Sequence, residues 1–369
     1  MKKRLFILLP LLLHLLCSSC LRDVVLKLDP VPSLLVLNAS VTPDREVAAF
    51  LSKSWFLLDS VPQYLLPEKD VNIDVYVNDV FRGTMQRSDN PEDSTEYKGQ
   101  YKLPGCYVKA GDKVRFEAEA PEFAPVAGET KIPQKSEIAA LDTAFYSNTY
   151  NMYVYLTLRD NPSERNYYRL VVERLDEYHK GDSVMWKSQF FDDKGYRVSI
   201  SGDRFEVDNN SFFNWLSLTY DDPVFQPDIP SMDNHRDGFY RGIFSDDLFN
   251  GKEYAVAFSF YPDYSFVTDT LSATVHYDIH LLSISEDYYN YLKVIRNFSI
   301  LLGDTDMSGQ LEPTASYSNV TDGFGVVTGY QKSTRRITMP VGSVPPYWGW
   351  KFTLREYLPR EVIRFPDEY

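Results

Sequence analysis

The chain reads as mainly β: an N-terminal immunoglobulin-like β-sandwich, then a larger β-sandwich or barrel-like domain with one notable amphipathic helix. Three observations predict this. Short segments alternating apolar and polar residues recur along most of the length, turn residues separate them, and a single stretch, residues 283–298, carries a helical period. With 369 residues, 44% hydrophobic and 24% charged, the composition is globular and the chain is too long for one ordinary core.

The amino terminus decides where such a protein works. Lys2, Lys3 and Arg4 precede an apolar run, Leu5 to Leu16. That is the length of a signal peptide and too short for a transmembrane helix, which needs roughly twenty residues. Ser18 and Ser19 then place small residues before Cys20, as in a bacterial lipobox, whereas Leu16 before Cys17 is too bulky for a signal peptidase. Residues 1–19 are therefore expected to be a lipoprotein signal peptide and Cys20 the lipid attachment site, carrying diacylglycerol and an acyl chain such as palmitate. Two or more chains anchor stably, at about 0.8 kcal/mol per buried CH₂. Residues 20–33, with two prolines and no helical period, suit an extended tether of at most about 3.5 Å per residue.

Charge and cysteine usage narrow the partners. The formal net charge is −14, and removal of Lys2, Lys3 and Arg4 takes it to −17. Nucleic-acid binding relies on Lys and Arg neutralising phosphates, so it is excluded as a role. After lipidation only Cys106 remains, which permits no internal disulfide. It sits in Leu103-Pro104-Gly105-Cys106-Tyr107, a turn entering a strand, without the histidine or helix terminus that activates a thiol.

Residues 34–133 are assigned to the first sandwich. Leu34 to Ser40 opens it, and Val71 to Val77 and Val114 to Ala120 alternate with period two, with Asn78-Asp79 and Lys109 to Asp112 as reversals. Residues 120–135 read as a linker or a last edge strand. Residues 134–369 form the larger β-rich domain, with strands at Met152 to Leu158, Tyr167 to Glu173, Tyr254 to Phe260 and Ala273 to Ile284, many bearing Tyr or Phe at alternate positions. In the helix, Ser285 caps, Glu286 and Asp287 favour the positive first turn, and Tyr288, Leu292 and Ile295 make the apolar stripe. Asp322-Gly323-Phe324-Gly325 reads as a glycine turn entering a strand.

Chemistry-bearing patterns are few. His276 and His280 lie four apart, but their segment alternates like a strand, which separates them by about 13 Å, too far for one metal. Asp304, Asp306 and Ser308 begin like a calcium loop, yet its twelfth position is Ala315 rather than a carboxylate, leaving a weak calcium candidate or a solvated turn. No GxSxG, P-loop or HExxH occurs. A non-enzyme without a cofactor is expected. Tyr347, Trp348 and Trp350 beside Pro345-Pro346, together with Trp215, are candidate ligand-stacking rings; the alternative is that they close the core.

The order of segments resembles the Bacteroidetes lipoprotein family called domain of unknown function 4249. The resemblance rests on Cys20, Leu34 to Leu37, Leu103 to Tyr107 with Ala110-Gly111-Asp112, and Asp160-Asn161-Pro162 with Asn166 to Arg169. It continues through Ser245 to Lys252, the helix after Ser285, and Ser318 to Gly325. It implies a lipid-anchored outer-membrane protein, at the cell surface in preference to the periplasmic face. The implied role is that of an accessory to a TonB-dependent transporter that imports nutrients, holding a glycan or peptide or bracing the transporter. The alternative is a structural or adhesive surface lipoprotein without a transport partner. The family carries no assigned catalytic residues.

Overall fold

The computed structural model describes residues 32–55, 66, 70–88, 99–145, 151–191, 197–201, 204–207, 218–220, 222–225, 242–262, 265–267, 272–303 and 317–339. The elements below belong to one compact unit, residues 34–54 and 63–369. The chain is mainly β, with one α-helix among the described residues. None of the described helices is long and apolar enough to cross a membrane.

The first sandwich is built from β1 (Leu35–Val41), β2 (Ala48–Lys53), β3 (Asn72–Val77), β4 (Val80–Thr84), β5 (Gln86–Arg87), β6 (Gln100–Lys102), β7 (Lys113–Glu119) and β8 (Val126–Lys131). Alternation does the work the sequence assigned to it. Leu35, Leu37, Ala39 and Val41 of β1 point inward, facing Ile73, Val75 and Val77 of β3 and Val114, Phe116 and Ala118 of β7 in one core. Each fully buried aliphatic side chain of this kind contributes about 1.5–3 kcal/mol.

The second region comprises β9 (Glu137–Phe145), β10 (Met152–Arg159), β11 (Tyr167–Lys180), β12 (Ser183–Phe191), β13 (Arg197–Ser201), β14 (Arg204–Val207), β15 (Ile243–Ser245), β16 (Glu253–Phe260), β17 (Phe266–Val267) and β18 (Ser272–Ile284). These are followed by α1 (Glu286–Gly303), β19 (Val320–Thr321) and β20 (Val327–Thr338). The sheet β16-β10-β9 packs on β11 and β18 around an aromatic core that includes Tyr168, Phe244, Phe249, Phe258, Phe260 and Tyr277. The helix lies on the opposite face of β18, where Leu292 meets Leu282 and Ile284. The cap is as the sequence indicates, with Ser285 Oγ accepting from the Tyr288 N–H at 3.3 Å; of the predicted stripe Tyr288 and Leu292 pack on the sheet, joined by Tyr289 and Tyr291.

The two regions share a sheet. One twelve-stranded sheet runs β14-β13-β12-β11-β18-β20-β1-β2-β6-β5, with β15 on β11 and β17 on β18. Strand β20 is the join: Val327 to Gly329 pair in parallel with β1, and Tyr330 to Thr338 pair antiparallel with β18. Its predecessor β19 pairs with β8 in the five-stranded sheet β19-β8-β7-β3-β4, and Val320 and Val327 are buried in the first core. Residues 126–131, within the segment legible as linker or edge, are thus a strand flanked on both sides, because the chain returns to cover it.

Glycine makes that return possible. Gly325 has φ of 121°, and a Cβ there would lie 1.9 Å from the Leu37 carbonyl oxygen. One at Gly323 would meet Leu35 O at 2.6 Å. Without side chains the turn lies flat on β1, with Leu37 N–H donating to Phe324 O and Ala39 N–H to Val326 O.

Candidate functional site

Three of the sequence stretches singled out above converge on internal hydrogen bonds. Asp160, 5% exposed, accepts from the Tyr168 hydroxyl at 2.5 Å and from the Gly251 N–H at 2.6 Å. Ser136 donates to the same Tyr168 oxygen at 3.1 Å, and Ser333 Oγ donates to Ser136 O. The Tyr168 hydroxyl is pushed well above its ordinary pKa by burial and by its bond to Asp160, so it stays a donor. Asn166 ties the adjoining loops: its Nδ2 donates to Asn161 O and Glu164 O, both at 2.8 Å, and to Asp246 Oδ2 at 3.2 Å. Asp246 is 1% exposed, and burial raises its pKa. Its neighbour Asp247 faces outward to Arg165 at 2.6 Å.

The third stretch clamps the first sandwich. Asn319 accepts from Val327 N–H at 2.8 Å and donates to Val327 O at 2.8 Å and Glu129 O at 3.0 Å. Thr321 donates to Ala127 O. An asparagine has both amide polarities in one group, so it can bridge β8 and β20 where backbone pairing stops.

A polar ladder occupies the face of β18 opposite the aromatic core. His276 and His280 lie on the same face of a strand, as the alternation indicates, and each bridges its two neighbours. His276 meets Thr338 through Nδ1 at 2.9 Å and Glu177 through Nε2 at 3.2 Å; His280 meets Thr334 at 2.8 Å and Glu173 at 3.0 Å. Between them Asp278 takes a bidentate bond from Arg336 at 2.6 and 2.7 Å. Burial opposes ionisation of Asp278, but the Arg336 guanidinium outweighs it, and the carboxyl stays below its ordinary range. Trp186 stacks on His276 with centroids 5.9 Å apart and keeps half its surface exposed.

Chemically, these groups face one another. Both carboxylate oxygens of Asp160 are engaged, and the imidazoles are held between a hydroxyl and a carboxylate. Among the described residues no group of three or more His, Cys, Asp or Glu is placed to hold a metal ion. Cys106 is half-buried, its pKa raised by burial and lowered less by Arg82. On the outer face of the first sandwich Asn72, Asp74, Thr84, Glu117 and Glu119 line a depression of about 230 Å³, in which Asp74 stands directly opposite Glu117.

Residues 22–336 match the family model described as Domain of unknown function (DUF4249). The chain belongs to the DUF4249 family. No curated protein matches it. In this DUF4249 chain the matched span runs from just after Cys20 to the ladder residue Arg336, and so takes in β1 to β19 and all but the last two residues of β20.

The site residues expected from the sequence, Cys20, Trp215, Tyr347, Trp348 and Trp350, lie outside the described residues, as do Asp304, Asp306 and Ser308. What the sequence reading missed is the ladder. Its signal was present in Glu173 and Glu177, which share one face of an alternating strand, but only the register of β11 against β18 shows that they meet histidines.

Proposed function

We propose that this DUF4249 chain is an exported lipoprotein, anchored in the outer membrane through Cys20, that serves as a non-catalytic accessory of a TonB-dependent nutrient uptake system. It would hold substrate or brace the transporter through protein contacts. The observation that carries the reading is the use made of the polar stretches: Asp160 to Asn166, Ser245 to Gly251 and Ser318 to Gly325 tie loops and sheets together into one frame. A frame of this kind positions a surface. The basic and apolar segment before Ser18-Ser19-Cys20 supports export and lipidation.

Affinity capture of the tagged protein from its native outer membrane, with intact mass of the bait, tests this reading. A stoichiometric TonB-dependent transporter and a lipidated Cys20 are expected. A lipidated bait recovered alone under mild detergent supports instead the structural or adhesive role. Cys20→Ala is expected to move the chain to the soluble fraction, and unchanged membrane retention refutes the anchor. Turnover of a glycan or peptide from a broad panel would overturn the non-catalytic assignment.

A further inference from the structure

Strand β4 is the outer strand of the five-stranded sheet, and among the described residues it pairs only with β3. The hairpin that carries it is fixed in advance. Asn78 and Asp79 close it with φ of 53° and 62°, the left-handed pair that a two-residue type I′ turn requires. Asn78 donates to Asp112 Oδ1 at 2.8 Å and accepts from the Lys113 N–H at 2.9 Å, which binds the turn to the neighbouring loop.

Pairing geometry then sets which backbone groups are open. In a two-residue hairpin the pair flanking the turn, Val77 and Val80, exchanges the bonds. The next pair, Tyr76 and Phe81, does not, so the Phe81 N–H and C=O point to the open side of the sheet. Pairing then passes from Tyr76–Phe81 to Val75–Gly83, leaving Arg82 as the extra residue of a bulge.

Open edges are commonly guarded by charge, proline or a bulge. Among the described residues the guards here are Arg82 and the bulge it occupies, and apolar surface lies beside them: Val80 is 55% and Phe81 53% exposed. Phe81 leans on Tyr76 on the outer face with centroids 5.5 Å apart. Arg82 lies within electrostatic range of Cys106, which is followed by Tyr107, 60% exposed. In a chain with 52 acidic and 38 basic residues, Arg82 is exposed and makes no ion pair with a described residue.

We propose that β4 is a docking edge for an extended acidic segment of another protein, which adds beside Phe81 and sets a carboxylate against Arg82. Period-two alternation supplies the match: apolar side chains on the Phe81 side and acidic ones on the Arg82 side. An arginine–carboxylate pair provides the strong, directional bond. A second copy of this chain fits poorly, because antiparallel self-pairing centred on β4 places Arg82 opposite its own counterpart. The inference requires neither the lipid nor a transporter and stands apart from the uptake reading.

The test uses the chain from residue 21 onward and a nine-residue peptide of alternating valine and glutamate. Adding the peptide is expected to slow amide exchange across Val80 to Thr84 at least tenfold. Arg82→Glu should weaken this peptide at least tenfold and favour one of alternating valine and lysine, while a proline at the centre of the peptide abolishes binding. Since Arg82 is exposed, the charge reversal is expected to leave the unfolding midpoint unchanged. Unaltered exchange on β4, or equal affinity of both proteins for both peptides, overturns the proposal. So does light scattering that shows a dimer with β4 protected in the absence of peptide.

Discussion

The two sandwiches reach burial by different means. In the first, the core is largely aliphatic, and the demanding feature is backbone proximity at Gly323 and Gly325, where β1 and the returning chain touch. In the second, the core is aromatic, and polar groups are buried alongside it: Asp160 with Tyr168, Asp246 with Asn166, and the histidine ladder. Close approach tolerates no added atom, since protein interiors are packed like crystals. Buried polarity makes a lost partner costly, since an unpaired buried group retains its desolvation penalty. The same fold class thus fails in two distinct ways.

The largest expected effect follows from the first. Gly325→Ala combines a left-handed φ with a clash against the Leu37 carbonyl, and should cost more than about 4 kcal/mol. A denaturation midpoint equal to that of the parent protein would break the comparison at its strongest point. Next is Tyr168→Phe, which removes one hydroxyl and leaves Asp160 Oδ1 and the Ser136 hydroxyl without it, while Asp160 Oδ2 keeps the Gly251 N–H. About 2–3 kcal/mol is expected from urea titration, with the core volume unchanged.

Arg336→Met sharpens the comparison through pH. Asp278 has a depressed pKa in the folded chain, so its contribution is present above the unfolded value of 3.8 and is lost as pH falls through the folded value. Because Arg336 is partly solvated, the loss at pH 7 should be about 2 kcal/mol rather than that of a fully buried pair. The variant's deficit should shrink below pH 4; a deficit independent of pH would show that packing, not charge, is what Arg336 supplies. The smallest effect is expected for Asp247→Asn. Its partner Arg165 is more than half exposed, as is Asp247 itself, so thermal unfolding should change by no more than about 0.5 kcal/mol.

Much of the fold was legible because a strand with one buried face must alternate. Asn72 to Val77, Lys113 to Glu119 and Met152 to Arg159 each lie within a residue or so of where period two places them. The helix after Ser285 was legible in its cap and stripe, although it extends to Gly303, beyond the segment whose pattern was clear. The candidate site was less legible. Asp160, Asn166 and Asp246 look like ordinary loop residues until the loops meet, and Glu173 and Glu177 look solvated until the register of β18 sets histidines beside them.

By itself, then, the sequence determined the β class, several of the strands, the helix and its cap, because each depends on local period and local chemistry; the family was legible only as a resemblance in the order of segments. Only the tertiary structure decided that β20 runs through both sandwiches, that β19 covers β8, and that His276 and His280 face carboxylates. Those outcomes rest on contacts between residues far apart in the chain, whose register is chosen by core packing and glycine-sized gaps rather than by any local pattern.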